Sequence, residues 1–165
     1  IVVALKIGVP IADIQSGLAE CALSGMRLKA EKAKNGALII NDSYNANPEA
    51  MRGALQVLSM YRDKKKIAVL GDMYELGAYS RQGHEMTGRA VYENKCEMLL
   101  TVGELAKDIA AGAVKAGMPA DRVFCFDANR QAADFLKNNV DKNCAVLVKG
   151  SRGMQMEEIV QEIMR

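Results

Sequence analysis

Five side chains that form hydrogen bonds lie within six residues of the chain, far more than a turn needs: Asp42, Ser43, Tyr44, Asn45 and Asn47. They follow a β-branched apolar run and end at Pro48, where a helical pattern begins. Asn-Pro favours a helix start, because the amide caps free N–H groups and proline has no N–H to leave unsatisfied. Ligands of α/β proteins bind outside the carboxyl ends of strands. We therefore interpret this stretch as a binding loop for ribose hydroxyls, an ammonium group or a peptide; the alternative is an unusually polar turn.

Two more polar loops follow apolar runs, at 71–77 and 149–153. Their polar side chains are Asp72 and Glu75 in the second loop and Lys149, Ser151 and Arg152 in the third. If the strands are parallel, all three loops converge on one rim of the sheet. Basic side chains beside a helix N-terminus suit a carboxylate or a phosphate. The pattern thus predicts one polar site built from three loops.

Several catalytic patterns are absent from the sequence. It contains no G-x-x-x-x-G-K-[ST] and no G-x-G-x-x-G after a strand. The single histidine, His84, lacks a placed acid and nucleophile, and we interpret it as a tether between a loop and a helix. We expect the chain to hold ligands without catalysing a reaction alone, to bind no metal and to have no catalytic residue of its own.

The cysteines form no C-x-x-C pair. Because Cys96, Cys125 and Cys144 fall in or beside predicted strands, we expect buried, reduced thiols of a cytosolic protein, not zinc ligands or a disulfide framework.

Apolar periodicity predicts a repeated β-α pattern after an opening hairpin centred on Asn35-Gly36. Helices are predicted over 48–61, 80–92, 104–116, 128–138 and 155–165, and strands over 27–34, 37–41, 66–71, 97–102, 122–126 and 145–149. The first of these helices should bury Met51, Ala54, Leu55 and Leu58. The fold class is therefore α/β, a Rossmann-like three-layer fold whose sheet is mostly parallel, with one antiparallel strand from the hairpin.

Length and charge limit the classes of function. The 165 residues allow one domain with a core and a short appendage. A formal charge of +2 gives no argument for nucleic acid or an anionic membrane surface as a partner. No apolar stretch approaches the ~20 residues that span a bilayer. The Lys64-Lys65-Lys66 run is interpreted as a solvated turn.

The first 24 residues predict a helix remnant, a break at Gly8-Val9-Pro10 and a second helix with Ile11, Ile14, Leu18 and Cys21 or Ala22 on one face. This pair has no core of its own, so we expect residues 1–24 to end a preceding domain and 25–165 to form the next, with a hinge at Ser24-Gly25. Since the first residue is Ile1 and not an initiator methionine, the chain is interpreted as a piece of a longer protein.

Three segments resemble motifs in the C-terminal domain of the Mur ligase family: 42–48 (DSYNANP), 71–77 (GDMYELG) and 147–152 (LVKGSR). Their order and spacing match, as do Ser80-Arg81 and His84 after the second motif and Met156-Glu157-Glu158 after the third. The resemblance runs from about Arg27 to the C-terminus. The Tyr-Asn-Ala-Asn-Pro form is similar to that of the member that adds a dipeptide.

The resemblance implies a cytoplasmic, monomeric ATP-dependent ligase of peptidoglycan precursor synthesis. In such enzymes ATP phosphorylates the carboxylate of UDP-N-acetylmuramoyl-tripeptide, and the amine of D-alanyl-D-alanine attacks the acyl phosphate. A central ATPase domain holds most of ATP and Mg²⁺, and the C-terminal domain closes on it. Residues 1–24 would then be the last helices of the central domain and 25–165 the C-terminal domain, inactive in isolation.

The resemblance also implies residue roles. Nucleotide contacts fall to Arg27, Asp42 and Asn45, and substrate contacts to Tyr44, Asn45, Asn47, Lys149, Ser151 and Arg152. Asp72, Glu75 and His84 would support the second loop. The chain departs from the family at the linker, where Ser24-Gly25-Met26-Arg27 replaces the frequent Pro-Gly-Arg.

Two alternatives come from other classes of protein. A phosphoacceptor receiver domain is also α/β, with acids such as Asp42 and Asp72 at strand ends and a late lysine such as Lys149. It normally has an acidic pair at the first strand and Lys-Pro at the last, and it lacks an opening hairpin. An interaction module would instead show an exposed apolar patch in place of a polar rim.

Overall fold

The computed structural model describes residues 1–20 and 25–165, and one six-stranded sheet lies at the centre of that part. The strands are β1 (Lys29–Lys32), β2 (Leu38–Asn41), β3 (Lys65–Gly71), β4 (Met98–Val102), β5 (Val123–Phe126) and β6 (Cys144–Lys149). The helices of the described part are α1 (Val2–Lys6), α2 (Ile11–Ala19), α3 (Pro48–Ser59), α4 (Ser80–Glu93), α5 (Lys107–Ala116), α6 (Asn129–Asn139) and α7 (Glu157–Met164).

The strand order is β1-β2-β6-β3-β4-β5. β1 runs antiparallel to β2, with Lys29 opposite Asn41, and every other pair is parallel. The hairpin turns at Gly36, whose φ of +85° is readily adopted by glycine. The mostly parallel sheet with one antiparallel hairpin strand confirms the predicted fold class.

Two apolar layers cover the sheet. On one face Ile39 of β2 packs with residues of α6 and α7, and on the other Ile40 packs with residues of α3, α4 and α5. Successive residues of a strand point to opposite faces, so a nearly continuous apolar run serves both layers. The three-layer arrangement follows from this double burial.

Helix α3 begins as predicted, because the Asn47 side chain accepts a hydrogen bond of 2.8 Å from the Ala50 N–H and Pro48 occupies the first turn. The four apolar side chains expected on its inner face are all buried.

Two element boundaries differ from the prediction for identifiable reasons. β1 begins at Lys29, because Met26 and Leu28 adopt φ values of 71° and 49°, outside the range of a strand. Helix α5 begins at Lys107, because the preceding turn bends so that the Ala106 N–H reaches the Asp72 carboxylate.

Two expectations about buried and exposed side chains were wrong. Cys96 and Cys144 are buried as predicted, but Cys125 is exposed, since β5 is an edge strand whose phenylalanines pack on the α6 side and leave Cys125 on the opposite face. Lys66 is buried within β3 and pairs with Glu97 at 3.1 Å, so it does not belong to a solvated turn. Cys21 lies outside the described residues.

Neither α1 nor α2 has a buried side chain. No helix in residues 1–20 and 25–165 has the length and apolar character needed to cross a membrane. The expected hinge residue Ser24 and the last turn of the second predicted helix lie outside the described residues.

Candidate functional site

The three polar loops meet at one rim of the sheet, as the parallel arrangement of the strands requires. The first and third loops are joined by an ion pair of 2.6 Å between Asp42 Oδ2 and Lys149 Nζ. The second and third are joined by two hydrogen bonds, from the Ser151 N–H to the Asp72 carbonyl at 2.9 Å and from the Tyr74 N–H to Ser151 Oγ at 2.8 Å.

The first loop is fixed by the sheet ladder. The Asp42 N–H donates to the Val148 carbonyl at 2.9 Å, which extends the parallel pairing of β2 with β6 by one step. This step places Asp42 beside Lys149, the last residue of β6. The Ser43 N–H and Oγ both bond to Asn41 Oδ1, which turns the chain away from the sheet.

The segment 26–28 lies against this loop. The Leu28 N–H donates to Asp42 Oδ1 at 3.1 Å, and the Tyr44 N–H donates to the Met26 carbonyl at 3.2 Å. Between these contacts the Arg27 guanidinium carbon lies 4.3 Å from the centre of the Tyr44 ring, a cation–π arrangement. Among the described residues Arg27 has no ion-pair partner, so its charge is available to an anion.

A cavity of about 500 Å³ opens beside this segment, between the first loop and α3. Six of the site residues expected from the sequence line it: Arg27, Asp42, Tyr44, Asn45, Asn47 and Lys149. Within the described part, the Asn45 side chain has no hydrogen-bond partner, and Asn47 uses only its oxygen, as the cap of α3. The cavity therefore presents a free guanidinium, a phenol ring and two amides.

The small residues that line the cavity were not among those predicted from the sequence. Ala50, Gly53 and Ala54 line it along one flank of α3, and Ala46 lines it from the loop just before that helix. The spacing of three and four residues from Ala50 to Gly53 and Ala54 is the detectable signal, because such positions share a face of a helix. Small side chains there leave the space open.

Two buried polar side chains, those of His84 and Asp72, fix the second loop through bonds to backbone N–H groups. His84 in α4 is fully buried, and its Nε2 accepts the Met73 N–H at 3.0 Å while Nδ1 lies 2.7 Å from the Ser80 carbonyl. Asp72 accepts the Ala106 N–H at 2.7 Å. Burial raises the pKa of Asp72 above its ordinary value of 3.8, and hydrogen bonding and the nearby His84 only partly oppose this effect.

The remaining expected residues lie on the rim, away from the cavity lining. Ser151 is buried and accepts from Tyr74, whereas Arg152 is half-exposed and pairs with Glu157 at 2.5 Å. Glu75 is exposed at a φ of 64°. The structure therefore separates the predicted residues into a cavity group and a rim group.

The sequence pattern of the family described as "Mur ligase, glutamate ligase domain" matches residues 26–152, which contain the first two loops and all but the last residue of the third. The chain belongs to the Mur ligase family.

Relatives of this Mur ligase domain align along almost all of it. UDP-N-acetylmuramoyl-tripeptide--D-alanyl-D-alanine ligase of Bacillus subtilis (strain 168) is 38% identical over 157 residues, covering 94% of this chain and 34% of the relative. The chain thus spans about a third of the length of the curated relatives it matches.

Solved structures give the same result for the fold. MurF from Acinetobacter baumannii superposes with a TM-score of 0.82 at 33% identity, covering 98% of this chain and 34% of that one. MurF ligase from Thermotoga maritima, in complex with ADP, superposes with a TM-score of 0.79 at 28% identity, covering 98% and 35%. Nothing in these comparisons supports the receiver hypothesis, and the antiparallel β1 argues against it.

Proposed function

We propose that this Mur ligase domain is the C-terminal part of an ATP-dependent ligase that joins D-alanyl-D-alanine to UDP-N-acetylmuramoyl-tripeptide. The names of the relatives support this substrate pair, and the ADP complex of one neighbour supports a nucleotide as ligand. The reaction would serve peptidoglycan precursor synthesis in the cytoplasm, with the domain closing on a central ATPase domain.

The observation that carries the proposal is the cavity beside the first loop. Arg27 stands on its wall without an ion-pair partner in the described part, next to an aromatic ring and two amides with unused N–H groups. A guanidinium binds phosphate or carboxylate oxygens strongly, and amides orient hydroxyl and peptide groups. This combination fits a nucleotide and a short peptide better than it fits an apolar ligand.

In this proposal Arg27 binds nucleotide oxygens, while Asn45 and Asn47 orient ligand groups across the cavity and Tyr44 offers its ring and hydroxyl. Arg152, half-exposed on the rim, would face the carboxylate of the dipeptide. Holding the amine and the activated carboxylate in a fixed orientation is the contribution a binding domain makes to such a transfer.

Magnesium would be bound outside the residues described here. Residues 1–20 and 25–165 hold no group of three or more His, Cys, Asp or Glu side chains suited to a metal ion. The carboxylate nearest the cavity, Asp42, is already paired with Lys149.

Residues 1–24 would end the central domain. The absence of any buried side chain in α1 and α2 supports this assignment, because a helix integral to the domain would bury one face.

A truncation tests the assignment. Removing residues 1–24 should leave the melting temperature of the remainder unchanged within about 2 °C. A fall of more than about 5 °C would place these helices in the same cooperative unit.

The deciding experiment measures phosphate release by the full-length ligase with ATP and magnesium, withholding UDP-N-acetylmuramoyl-tripeptide and D-alanyl-D-alanine in turn. Release that requires both supports the proposal, and its absence under every combination refutes it.

The Arg27→Ala variant tests the nucleotide contact. It should raise the KM for ATP about tenfold or more, because it loses one charge-assisted contact. Arg89→Ala, an exposed arginine of α4 outside the cavity, is the matched control.

A further inference from the structure

We propose that Glu157 is a positioning residue for Arg152. Its carboxylate fixes one nitrogen of the guanidinium, so that the free edge of the group faces the carboxylate of the incoming dipeptide. The residue roles implied by the resemblance do not include Glu157, and the family pattern ends at residue 152. This inference rests on the proposed function, which gives Arg152 that carboxylate as its ligand.

The ion pair of Arg152 with Glu157 differs from the surface pairs of the same helices. Arg152 Nη1 lies 2.5 Å from Glu157 Oε1, and the two side chains are 52% and 16% exposed. The acids of two surface pairs, Asp134 and Glu162, are 60% and 35% exposed. Exposed pairs order their partners weakly, because water competes for both charges. A largely buried acid is therefore the firmer anchor for an arginine.

Glu157 has a fixed place because it is the first residue of α7, whose inner face is buried through Ile159, Val160 and Ile163. The N-terminal end of a helix also favours a negative side chain. The second carboxylate oxygen, Oε2, is buried and has no hydrogen-bond partner in the described part of the chain. Since a buried acceptor without a partner costs free energy, this carboxylate depends on its contact with Arg152.

The turn that carries Arg152 is fixed independently of Glu157. The Ser151 N–H donates to the Asp72 carbonyl at 2.9 Å. At the other end of the turn, Asn129 Nδ2 donates to the Met154 carbonyl at 2.8 Å. Because these bonds fix the backbone, the freedom that remains is that of the Arg152 side chain, and the contact with Glu157 restricts it.

The guanidinium of Arg152 keeps most of its donors. Nη1 bonds to Glu157 and also lies 3.7 Å from Met26 Sδ. Among residues 1–20 and 25–165 the other two nitrogens, Nε and Nη2, have no acceptor. These two nitrogens form one edge of the planar group and match the two oxygens of a carboxylate. Arg152 can therefore be fixed at Nη1 and bind a ligand at the opposite edge.

Loss of the Glu157 charge has two opposite effects on a carboxylate bound to Arg152. It removes a nearby negative charge, which strengthens the attraction, and it frees the guanidinium, which weakens a two-point contact. Screening by water reduces the first effect at a half-exposed arginine. We therefore expect the loss of orientation to be the larger effect.

The test compares D-alanyl-D-alanine with its C-terminal amide as substrates of the full-length ligase. The ratio of their kcat/KM values reports recognition of the carboxylate. Glu157→Gln should lower this ratio at least about fivefold and leave the KM for ATP unchanged, because a neutral acceptor binds the guanidinium more weakly. A ratio that stays the same or rises would overturn the proposal, because Arg152 would then recognise the carboxylate without help from Glu157.

Glu158→Gln is the matched control. Glu158 is the next residue of the same helical turn, and its carboxylate accepts from Asn129 Nδ2 at 3.1 Å, a bond that glutamine can also accept. The variant removes the same charge from the same end of α7, so its ratio should equal that of the unsubstituted enzyme. A fall as large as that of Glu157→Gln would assign the effect to the charge of the helix end and would contradict the proposal.

A double variant tests whether Glu157 acts through Arg152. Arg152→Met removes the guanidinium, so adding Glu157→Gln to it should change the substrate ratio less than about twofold. A further fivefold fall in the double variant would show that Glu157 affects the carboxylate by another route.

A measurement on the 165-residue chain does not depend on the reaction. Nitrogen-15 relaxation of the Arg152 Nε–H bond gives its order parameter, which should fall by about a third or more in Glu157→Gln and stay the same in Glu158→Gln. An unchanged order parameter in Glu157→Gln would refute the positioning role even if the ligase is active. A full-length protein that does not use D-alanyl-D-alanine would refute the proposed function, and the order parameter would then decide whether Glu157 fixes Arg152.

Discussion

His84 Nε2 accepts a hydrogen bond of 3.0 Å from the Met73 N–H, across the junction between helix α4 and the loop after β3. The same ring lies with Nδ1 2.7 Å from the Ser80 carbonyl. A ring that donates at Nδ1 and accepts at Nε2 satisfies the Met73 N–H and also bonds to the Ser80 carbonyl in the first turn of α4. The single histidine of the chain is therefore a connector between a helix and the rim.

Replacing this connector should destabilise the domain. His84→Ala leaves the Met73 N–H without its acceptor in a buried position and opens a cavity, so we expect a loss of about 2 kcal/mol or more in the free energy of unfolding. Urea denaturation measures this value. His84→Gln, which offers a carbonyl acceptor, is the control and should lose less; equal losses would show that packing, not the hydrogen bond, is responsible.

The crossing of α4 and α5 should tolerate no side chain at Gly88. A Cβ there would lie 2.0 Å from the Ile109 carbonyl oxygen, which is backbone and cannot swing aside. Gly88→Ala should cost about 3 kcal/mol by forcing the helices apart. Gly53→Ala in α3 meets no atom within 4 Å and should instead stabilise by about 0.5–1 kcal/mol through helix propensity. Melting temperatures that shift in the same direction for both would contradict the helix crossing described here.

Titration of the Asp72 carboxyl should lower the free energy of unfolding as pH rises on the acid side of neutrality. Burial raises the pKa of this carboxyl above 3.8 in the folded state. Between 3.8 and the raised pKa the folded protein binds the proton more tightly than the unfolded chain, so the stabilisation present at low pH is lost as pH rises through that window.

Asp72→Asn keeps an acceptor for the Ala106 N–H and removes this titration. The stability of the variant relative to the original should therefore increase from about pH 4 to about pH 7, as measured by urea unfolding at each pH. A relative stability that decreases over the same range would mean that the carboxyl titrates below 3.8 when folded.

The two amides of the first loop should behave differently, although their positions in the sequence suggest the same role. Asn47→Ala removes the cap of α3 and should cost about 1 kcal/mol of stability, whereas Asn45→Ala should leave the melting temperature nearly unchanged. Both should lower ligase activity in the full-length enzyme. Asn47→Ser restores a capping oxygen without an amide donor, so recovery of stability without activity would assign the donor to the ligand. Recovery of both would assign Asn47 to structure alone.

The thiols should differ sharply in reactivity. Burial raises the pKa of Cys96 to about 12 and also raises that of Cys144, while Cys125 is exposed. Since the thiolate is the reactive form, iodoacetamide at about pH 8 should label Cys125 in the folded chain and spare Cys96 and Cys144. Peptide-resolved mass spectrometry distinguishes them. Labelling of Cys96 at the rate of Cys125 would contradict its burial.

The sequence predicted the alternating α/β architecture and the rim because both depend on local patterns. Apolar runs ending in polar loops, Asn47-Pro48 at a helix start and Asn35-Gly36 at a hairpin all act over a few residues. Topological rules then bring the strand ends together. Boundaries failed where distant residues intervened, as at α5, whose preceding turn bends towards a carboxylate 34 residues earlier in the chain.

What the sequence determined by itself was therefore the set of elements, the three loops and the residue types available there. Only the tertiary structure decided which of those residues face the cavity and which bond to other groups of the protein. The contacts of Lys149 with Asp42 span 107 residues of chain, and these form only when β2 and β6 become neighbours in the sheet. Local propensity carries no information about such a pairing, because the free energy that selects it comes from burying both strands in a shared core.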